Sequence, residues 1–337
     1  MARSLPFPPL PLMNRVGSVA DAPDPELRYV QIGEAIRAAI DRVLPPAWEW
    51  SGKSVLDFGC GAGRTLRHFA TEAHVAEFWG CDIDVGSIDW LRENLDPPFR
   101  AVQSGVLPPL PFDDGSFDLV YCVSVFTHLG DEWAPWLLEL RRVLRDNGRL
   151  IATFMGEGMS ESIVGEPWDE TRIGMNTLRY GQPWDLGGPM VLHSPWWIRA
   201  HWGRLFDIEH IEPYGFATEG PTPCPAGQGV VVMTPLPSAV GCGVDDLVAA
   251  EPDEPRELIS ARHHSIQLAR ELVILRQELG AASTELDRAR EELDGQAAAA
   301  NELRRQPHTD SVGATGRRHL TSQLRRIRAL LQKSSGS

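Results

Sequence analysis

The spacing of hydrophobic residues changes along the chain, and these changes predict alternating strands and helices. Short apolar runs bounded by turn residues are typical of buried parallel strands, whereas apolar residues at every third or fourth position are typical of covering helices. Helical spacing occurs at 29–44 and again at 131–145. The runs that fit strands are 54–57, 77–82, 99–103, 118–123, 149–154, 206–211 and 229–233. This order predicts an α/β fold.

The first strand leads into a glycine-rich turn that predicts a nucleotide-binding site. Asp57 ends the strand, and glycine follows at alternate positions as Gly59, Gly61 and Gly63. A strand that passes through such a turn into a helix presents backbone N–H groups to a ligand, and glycine leaves room for its close approach. The dinucleotide fingerprint needs a third glycine where this chain has Arg64. An NAD site therefore conflicts with this turn.

The pattern D-x-G-x-G-x-G at residues 57–63 resembles class I S-adenosylmethionine (SAM) dependent methyltransferases. The run LPFDDGSFDLVYCVSVFTHL at 110–129 closely resembles the fourth-strand region of type 11 members of that family, and ELRRVLRDNGRLIATF at 139–154 also fits. The resemblance extends over about residues 30–235. It implies a Rossmann-like, seven-stranded sheet with an antiparallel closing hairpin, and SAM as the cofactor.

The resemblance also implies roles for individual residues. The three glycines provide the backbone surface for SAM, and Asp57 orients the turn and the amino-acid end of SAM, unless it is only a structural turn carboxylate. Asp82 lies about twenty residues further on, where a carboxylate can accept from both ribose hydroxyls; the alternative is a helix cap. Ile83 is then placed against the adenine. Relatives carry an aspartate after the third strand, but here Ser104 or backbone atoms must contact the adenine.

Two histidines are candidates for the catalytic base. The methyl group of SAM is already activated, so the protein must bind SAM, align a nucleophile and exclude water, for which no metal is needed. A hydroxyl acceptor needs a general base, and histidine titrates near neutrality. His128 follows the fourth strand, and His193 follows the glycine-rich stretch 156–190, which we expect to form a substrate lid. Either could instead be a structural histidine.

A heptad pattern follows the predicted sheet domain. From residue 258, leucine and alanine recur at positions a and d, with glutamate at g and arginine at e. Pairs such as Glu271–Arg276 favour a parallel homodimeric coiled coil. A solitary helix packed on the catalytic domain is the alternative. We therefore predict the following divisions: an arm at 1–28, the methyltransferase domain at 29–235, a linker at 236–255, the coiled coil at 256–305 and a basic tail at 306–337.

The composition and charge of the chain limit the kinds of partner that it is expected to bind. The net charge of −14 argues against a general nucleic-acid binder. The end of the chain is the exception, because residues 304–337 hold eight basic residues and one acid. This basic tail, with a short amphipathic helix, could contact an anionic membrane surface or stay solvated and partly disordered.

The cysteines and the beginning of the chain predict the compartment. The five cysteines include no C-x-x-C pair and predict reduced intracellular thiols. No signal peptide or membrane span is expected. The predicted location is cytoplasmic, with the tail able to hold the protein at the inner face of the membrane.

These features favour a SAM-dependent methyltransferase that acts on a hydroxyl of a glycan or a related metabolite. The preference for a glycan comes from the ending SVFTHL at 124–129, which resembles members found with glycan biosynthesis, and from the attached coiled coil. A small-molecule or lipid acceptor stays open. The alternative from another class is a catalytically inactive methyltransferase-like scaffold that acts through its coiled coil.

Overall fold

The computed structural model describes residues 5–15, 19–165, 167–217, 226–239 and 241–305. The chain divides into two units, Met1–Glu271 and Leu272–Ser337. The first unit contains the sheet and its covering helices, and the second contains the distal part of the last helix.

The described residues form helices and strands in the order that the hydrophobic spacing predicts. The helices are α1 (Leu10–Arg15), α2 (Pro25–Val43), α3 (Val85–Asn94), α4 (Trp133–Val143), α5 (Glu157–Val164), α6 (Pro195–His201), α7 (Val244–Val248) and α8 (Arg256–Arg305). The strands are β1 (Ser54–Phe58), β2 (Glu77–Asp82), β3 (Arg100–Gln103), β4 (Phe117–Cys122), β5 (Leu144–Phe154), β6 (Met175–Leu178), β7 (Met190–His193), β8 (Phe206–Glu212) and β9 (Gly229–Pro235).

The main sheet has seven strands in the order β3-β2-β1-β4-β5-β9-β8. Strands β1 to β5 run parallel, and β9 is antiparallel to both of its neighbours, β5 and β8. The predicted α/β sheet and its antiparallel closing hairpin are therefore confirmed. The strand order reverses between β1 and β4, where a crevice at the carboxyl ends is the expected ligand site.

Two apolar clusters cover the two faces of the sheet. On one face, Leu137 and Leu140 of α4 pack with Val120 of β4. On the other face, Ile36 of α2 and Leu91 of α3 pack in a separate cluster. Both faces of the central strands are thus buried, which is why their sequences are continuous apolar runs and do not alternate.

Several predicted boundaries differ from the structure. The helix expected directly after the glycine turn is only a short 3-10 turn, Leu66–Phe69. The helix expected to reach residue 145 ends at Val143, because Leu144 already pairs with Phe117 in the sheet. The guanidinium of Arg145 also binds the buried Asp118 carboxylate, which holds this start of β5 in place.

The segment predicted as a linker, 236–255, is part of the first unit and packs within it. Leu247 of α7 is fully buried. Its carbonyl lies 2.7 Å from Nδ1 of His201, and Nε2 of the same ring lies 2.7 Å from Oε1 of Glu257. The start of α8 is thus held against α6 by buried polar contacts.

The first turns of α8 contact the backbone of β6 through polar side chains. Ser260 Oγ accepts from the N–H of Gly174 at 2.7 Å, and His264 Nε2 accepts from the N–H of Thr177 at 3.0 Å. The contacts along this face are Ser260–Gly174, His264–Thr177, Gln267–Asn176 and Glu271–Arg179. Since these side chains satisfy backbone donors beside an exposed strand edge, they also protect that edge from other strands.

The leucine stripe of α8 is exposed. In the second unit, Leu272, Leu279, Leu286 and Leu293 are 48%, 71%, 53% and 63% exposed. The long predicted helix is confirmed, while its pairing as a coiled coil stays a prediction. The predicted basic tail at 306–337 lies outside the described residues. In the part of the chain that the structure describes, no helix combines the length and apolar character needed to cross a bilayer.

Candidate functional site

The glycine turn after β1 has the backbone conformation that its sequence requires. Gly59, Gly61 and Gly63 have φ angles of 85°, 52° and 77°, which residues with a side chain rarely adopt. The N–H groups of Gly59 and Cys60 both donate to the carbonyl of Cys81, at 2.7 and 3.0 Å. A Cβ atom on Gly59 would lie 2.3 Å from Cγ2 of Val125. The turn is therefore fixed between the ends of β1, β2 and β4.

Asp82 faces this turn from the end of β2. Its Oδ2 accepts from the N–H of Gly61 at 2.7 Å, and its Oδ1 accepts from the N–H of Asp84 at 2.9 Å. Burial raises the pKa of this carboxyl group. Each oxygen keeps a second lone pair, so the group can still accept from two ligand hydroxyls. The helix cap belongs to its neighbour, because Asp84 Oδ2 accepts from the N–H of Ser87 at 2.9 Å.

Asp57 lies beneath the turn and is 3% exposed. Burial raises the pKa of its carboxyl group to about 8, although the nearby Tyr121 hydroxyl and Arg64 guanidinium oppose this increase. Its Oδ2 makes no hydrogen bond of normal geometry with the described residues. A cation bound beside the turn would favour the ionised form of this carboxyl group. The residues present thus fit a cationic nucleoside.

The other two predicted cofactor residues lie at the ends of the same strands. Ile83 is half-buried and directly follows Asp82. Ser104 is buried, and its N–H donates to the carbonyl of Asp82 at 2.9 Å. The fold therefore brings both residues beside the predicted ribose site, and their contact with adenine stays a prediction.

The described part of the N-terminal arm packs beside the glycine turn. Tyr29 is fully buried and donates from its hydroxyl to the carbonyl of Ala62 at 3.3 Å. Arg67 donates to the carbonyls of Leu5 and Pro6 at 2.7 and 2.9 Å. The arm and α2 therefore hold the outer side of the turn.

The end of α1 contacts both the β2 end of the site and the insert between β5 and α6. The Nε atom of Arg15 lies 3.4 Å from Oδ2 of Asp84. Its guanidinium carbon lies 5.0 Å from the centre of the Trp184 ring. Arg15 of the arm thus contacts both the carboxyl end of β2, beside the predicted cofactor site, and the insert.

His128 lies in the 3-10 turn Phe126–His128 that follows β4. Its hydrogen bond selects the tautomer in which Nε2 is free to accept a proton. Its Nδ1 is 2.8 Å from the carbonyl oxygen of Pro189. A carbonyl can only accept, so Nδ1 carries the proton and Nε2 keeps its lone pair. Burial lowers the pKa of this half-buried ring, which favours its neutral form. Both properties suit a general base.

His193 has a different environment. The ring is fully buried, with its centre 5.5 and 5.7 Å from the rings of Trp197 and Trp202. Burial lowers its pKa to about 3, so it stays neutral. Neither ring nitrogen makes a hydrogen bond of normal geometry with the described residues. This placement favours the structural alternative for His193.

A polar network at the carboxyl ends of β4 and β5 was not predicted from the sequence. Ser124 has a φ of 62°, and its N–H donates to Thr153 Oγ1 at 2.7 Å. Thr153 Oγ1 donates to Gln228 Oε1 at 2.6 Å, and Gln228 Nε2 donates to Ser124 Oγ at 2.9 Å. Thr127 completes the network 3.1 Å from Ser124 Oγ. Ser124 and Thr127 lie within the quoted SVFTHL motif, whereas nothing in the sequence singles out Gln228.

The described residues contain no group of three or more histidine, cysteine, aspartate or glutamate side chains that could hold a metal ion.

Comparison with known proteins links this site to methyltransferases. Residues 56–152 match the family model of a methyltransferase domain. The chain is 33% identical over 105 residues to the phthiotriol/phenolphthiotriol dimycocerosates methyltransferase 1 of Mycobacterium ulcerans, over 31% of this chain and 38% of the relative. It is 32% identical over 103 residues to the O-methyltransferase rstn1 of Aspergillus nomiae, over 29% of this chain and 45% of the relative. The matched region thus spans less than half of each relative.

Similar solved structures include a SAM-dependent methyltransferase from Mesorhizobium loti. It has 19% sequence identity and a TM-score of 0.43, and the match covers 60% of this chain and 96% of that one. A TehB-like SAM-dependent methyltransferase from Corynebacterium glutamicum has 20% identity and a TM-score of 0.39, with 60% and 88% covered.

The matched segment 56–152 contains the glycine turn, Asp82 and the fourth-strand motif. S-adenosylmethionine is therefore the expected cofactor. The residues that face the turn fit it, because Asp82 offers two acceptors for vicinal hydroxyls and the buried Oδ2 atom of Asp57 makes no hydrogen bond of normal geometry with the described residues.

Proposed function

We propose that this chain transfers a methyl group from SAM to a hydroxyl group of an acceptor. The observation that carries the proposal is the position of Asp82, whose carboxylate is bonded to the N–H of Gly61 at the carboxyl ends of adjacent parallel strands. A ribose held there would lie at the glycine turn, as class I methyltransferases require. SAM supplies an activated methyl group. The residues of this chain bind SAM, orient the acceptor and remove the proton from its hydroxyl group.

Each cofactor residue has a proposed role. The glycines at 59, 61 and 63 form the backbone surface, and Asp82 accepts from the ribose hydroxyls. The buried carboxyl group of Asp57 has a raised pKa, and the ammonium group of the cofactor's amino-acid end would favour its ionised form. Ile83 packs on the adenine, and Ser104 contacts its edge.

His128 is the proposed general base. Its Nε2 would remove the proton from the acceptor hydroxyl, and the bond from Nδ1 to Pro189 holds the ring in the required tautomer. We prefer it to His193, because the latter is fully buried between tryptophan rings. Ser124, which has a hydroxyl group at the same carboxyl edge, is a candidate for positioning the acceptor.

The acceptor is proposed to be a glycan or a related metabolite. The motif SVFTHL at 124–129 supports this class. The relatives named above include an O-methyltransferase and a methyltransferase of phthiotriol dimycocerosates, which favours oxygen as the acceptor atom and keeps a lipid acceptor open.

The assembly is proposed to be a homodimer that forms through a parallel coiled coil of α8. The exposed leucine stripe and the g-to-e charge pairs support this pairing. The contact of the tail with an anionic membrane surface and the cytoplasmic location stay predictions. The inactive scaffold is the competing hypothesis, and the intact turn with Asp82 argues against it.

A transfer assay tests the function. SAM carrying a labelled methyl group is incubated with the purified protein and cell-envelope extract, and the labelled product is hydrolysed and identified. We expect label in an O-methyl ether that is absent with Asp82→Ala. Label on nitrogen or carbon would contradict the proposed acceptor atom, while SAM binding without any transfer would favour the scaffold.

A further inference from the structure

A cavity of about 560 Å³ lies beside β6, within the insert between β5 and α6. Its volume is within the range of about 300–1,000 Å³ that ligand pockets occupy. The insert provides most of the wall, and α8 contributes His263 and Gln267. Leu192 also lines the cavity and forms an isolated β-bridge with Met155, the residue directly after β5. The cavity therefore lies next to the carboxyl edge of the main sheet.

One buried polar atom in the wall of this cavity lacks a partner. Asn176 is 1% exposed and donates from Nδ2 to Oε1 of Gln267 at 3.1 Å. Its Oδ1 makes no hydrogen bond with the described residues. A buried acceptor without a donor is unfavourable, so such an atom needs an explanation. A ligand hydroxyl in the cavity would supply the missing donor.

The chemistry of the wall selects the class of ligand. Trp168, Ile173 and Leu192 form an apolar surface, and Trp168 packs on the apolar cluster of the insert. Asp169, Glu170 and Arg172 add ionised groups, and Nε of Arg172 is 3.2 Å from Oδ2 of Asp169. Glu170 Oε1 lies 3.8 Å from a guanidinium nitrogen of Arg256. Since the guanidinium of Arg172 is already paired with a carboxylate, the wall disfavours an anion such as phosphate. A plain alkyl chain would leave Asn176 Oδ1 unsatisfied.

We infer that this cavity binds a neutral sugar ring. The C–H face of a pyranose can lie on the tryptophan and aliphatic side chains, while its hydroxyls bond to carboxylate, amide and imidazole groups. As a subsite for one ring of a glycan acceptor whose reacting hydroxyl lies at His128, the cavity presupposes the methyl transfer proposed above. The first turns of α8 then have a second function besides covering the edge of β6, because they complete the wall of the sugar site.

The test measures sugar binding without any turnover. Saturation-transfer NMR uses the full chain with the methyl glycosides of glucose, galactose, mannose and rhamnose and with sodium octanoate, and the ³¹P line width reports the binding of inorganic phosphate. We expect at least one glycoside to bind. Its affinity should fall roughly tenfold in Asn176→Leu, which keeps the volume but removes the acceptor, and in Trp168→Ala.

Matched variants keep the test falsifiable. His263→Ala changes the wall on the surface of α8, so it should weaken binding even if Asn176→Leu unfolds. Trp184→Ala removes an exposed tryptophan of the same insert outside the cavity and should leave binding unchanged. The inference is wrong if no glycoside binds, if only phosphate or octanoate binds, or if the folded cavity variants bind as the wild type does.

A parallel titration with SAM separates the two proposals. SAM binding without sugar binding would overturn the sugar site and leave the methyl transfer standing. Sugar binding without SAM binding would overturn the methyl transfer and retain the cavity as a sugar site.

Discussion

Burial sets the protonation of the side chains around the glycine turn. Asp57 is buried and Asp82 is half-buried, and this burial raises the pKa of each carboxyl group. The same effect lowers the pKa of His128 and keeps the ring neutral. The resemblance to class I methyltransferases predicts Asp57 and Asp82 as site residues, and its position after the fourth strand predicts His128 as a base. The sequence could not predict these pKa shifts, since they depend on side chains brought together from distant parts of the chain.

Binding of SAM should depend on pH through Asp57. The folded, free protein holds a proton on this carboxyl group below a pKa of about 8, and a cationic ligand favours the ionised form. Affinity should therefore rise with pH up to about 8, by up to roughly tenfold per pH unit. Calorimetry in buffers of different ionisation enthalpy should detect proton release at pH 7.

Asp57→Asn should remove this pH dependence, whereas the exposed Asp89→Asn should retain it. An affinity of the wild type that is constant between pH 6 and 8 would contradict the role of Asp57.

The turnover number should depend on His128. His128→Ala should lower kcat by about 10²–10⁴ and leave SAM affinity unchanged, because the base acts only on the acceptor hydroxyl. In the wild type, kcat should fall at acid pH with a pKa below the usual value for histidine, since protonation removes the Nε2 lone pair. His74→Ala, at an exposed position before β2, is the control. Full turnover by His128→Ala would refute this assignment.

At the scale of elements, the strands were easier to predict than the insert. The central strands are buried on both faces, so their apolar runs mark them clearly. The insert at 156–190 has no hydrophobic period, yet it contains α5, β6 and part of β7. The hairpin of β6 and β7 is held by backbone pairing and by polar side chains of α8. Such long-range contacts leave no periodic signal in the sequence of the insert.

Removal of one docking side chain of α8 should lower the stability of the first unit. Ser260→Ala leaves the buried N–H of Gly174 without its acceptor, which costs about 1–3 kcal/mol. Thermal unfolding should show a Tm lower by about 2–4 °C for each kcal/mol. Ser265→Ala is the matched control, because that hydroxyl bonds the carbonyl of Ala261 within the same helix. An equal Tm for both variants would argue against the docking role of Ser260.

At the scale of the whole chain, α8 has two faces with different uses. The polar face that contains Ser260, His264 and Gln267 contacts the insert. The leucines at heptad position a, which are Leu258, Leu272, Leu279, Leu286 and Leu293, are exposed. The heptad pattern predicted the long helix. The alternative prediction was a solitary helix whose apolar face packs on the catalytic domain. In the structure, the face of the first turns of α8 that contacts this domain is polar. The hydrophobic pattern of one chain shows that a helix has an apolar face. It does not show whether that face packs on a second copy of the helix or on the domain of the same chain.

Self-association should depend on the leucine stripe. Leu279→Glu places a charge at position a, so it should shift the protein from dimer to monomer in sedimentation equilibrium. Ala281→Glu adds the same charge two residues away at position c and should leave the dimer intact. A wild type that stays monomeric at high concentration would rule out the coiled-coil dimer.

The central claim is that the glycine turn and Asp82 hold a SAM molecule. Isothermal titration of the full chain with SAM tests it most directly, with Asp82→Ala beside the exposed control Asp89→Ala. The expected result is saturable binding of one SAM per chain that is weakened at least roughly tenfold in Asp82→Ala, because two hydroxyl contacts are lost, and unchanged in Asp89→Ala. The claim is contradicted if the wild type does not bind SAM, or if a folded Asp82→Ala protein binds it equally well.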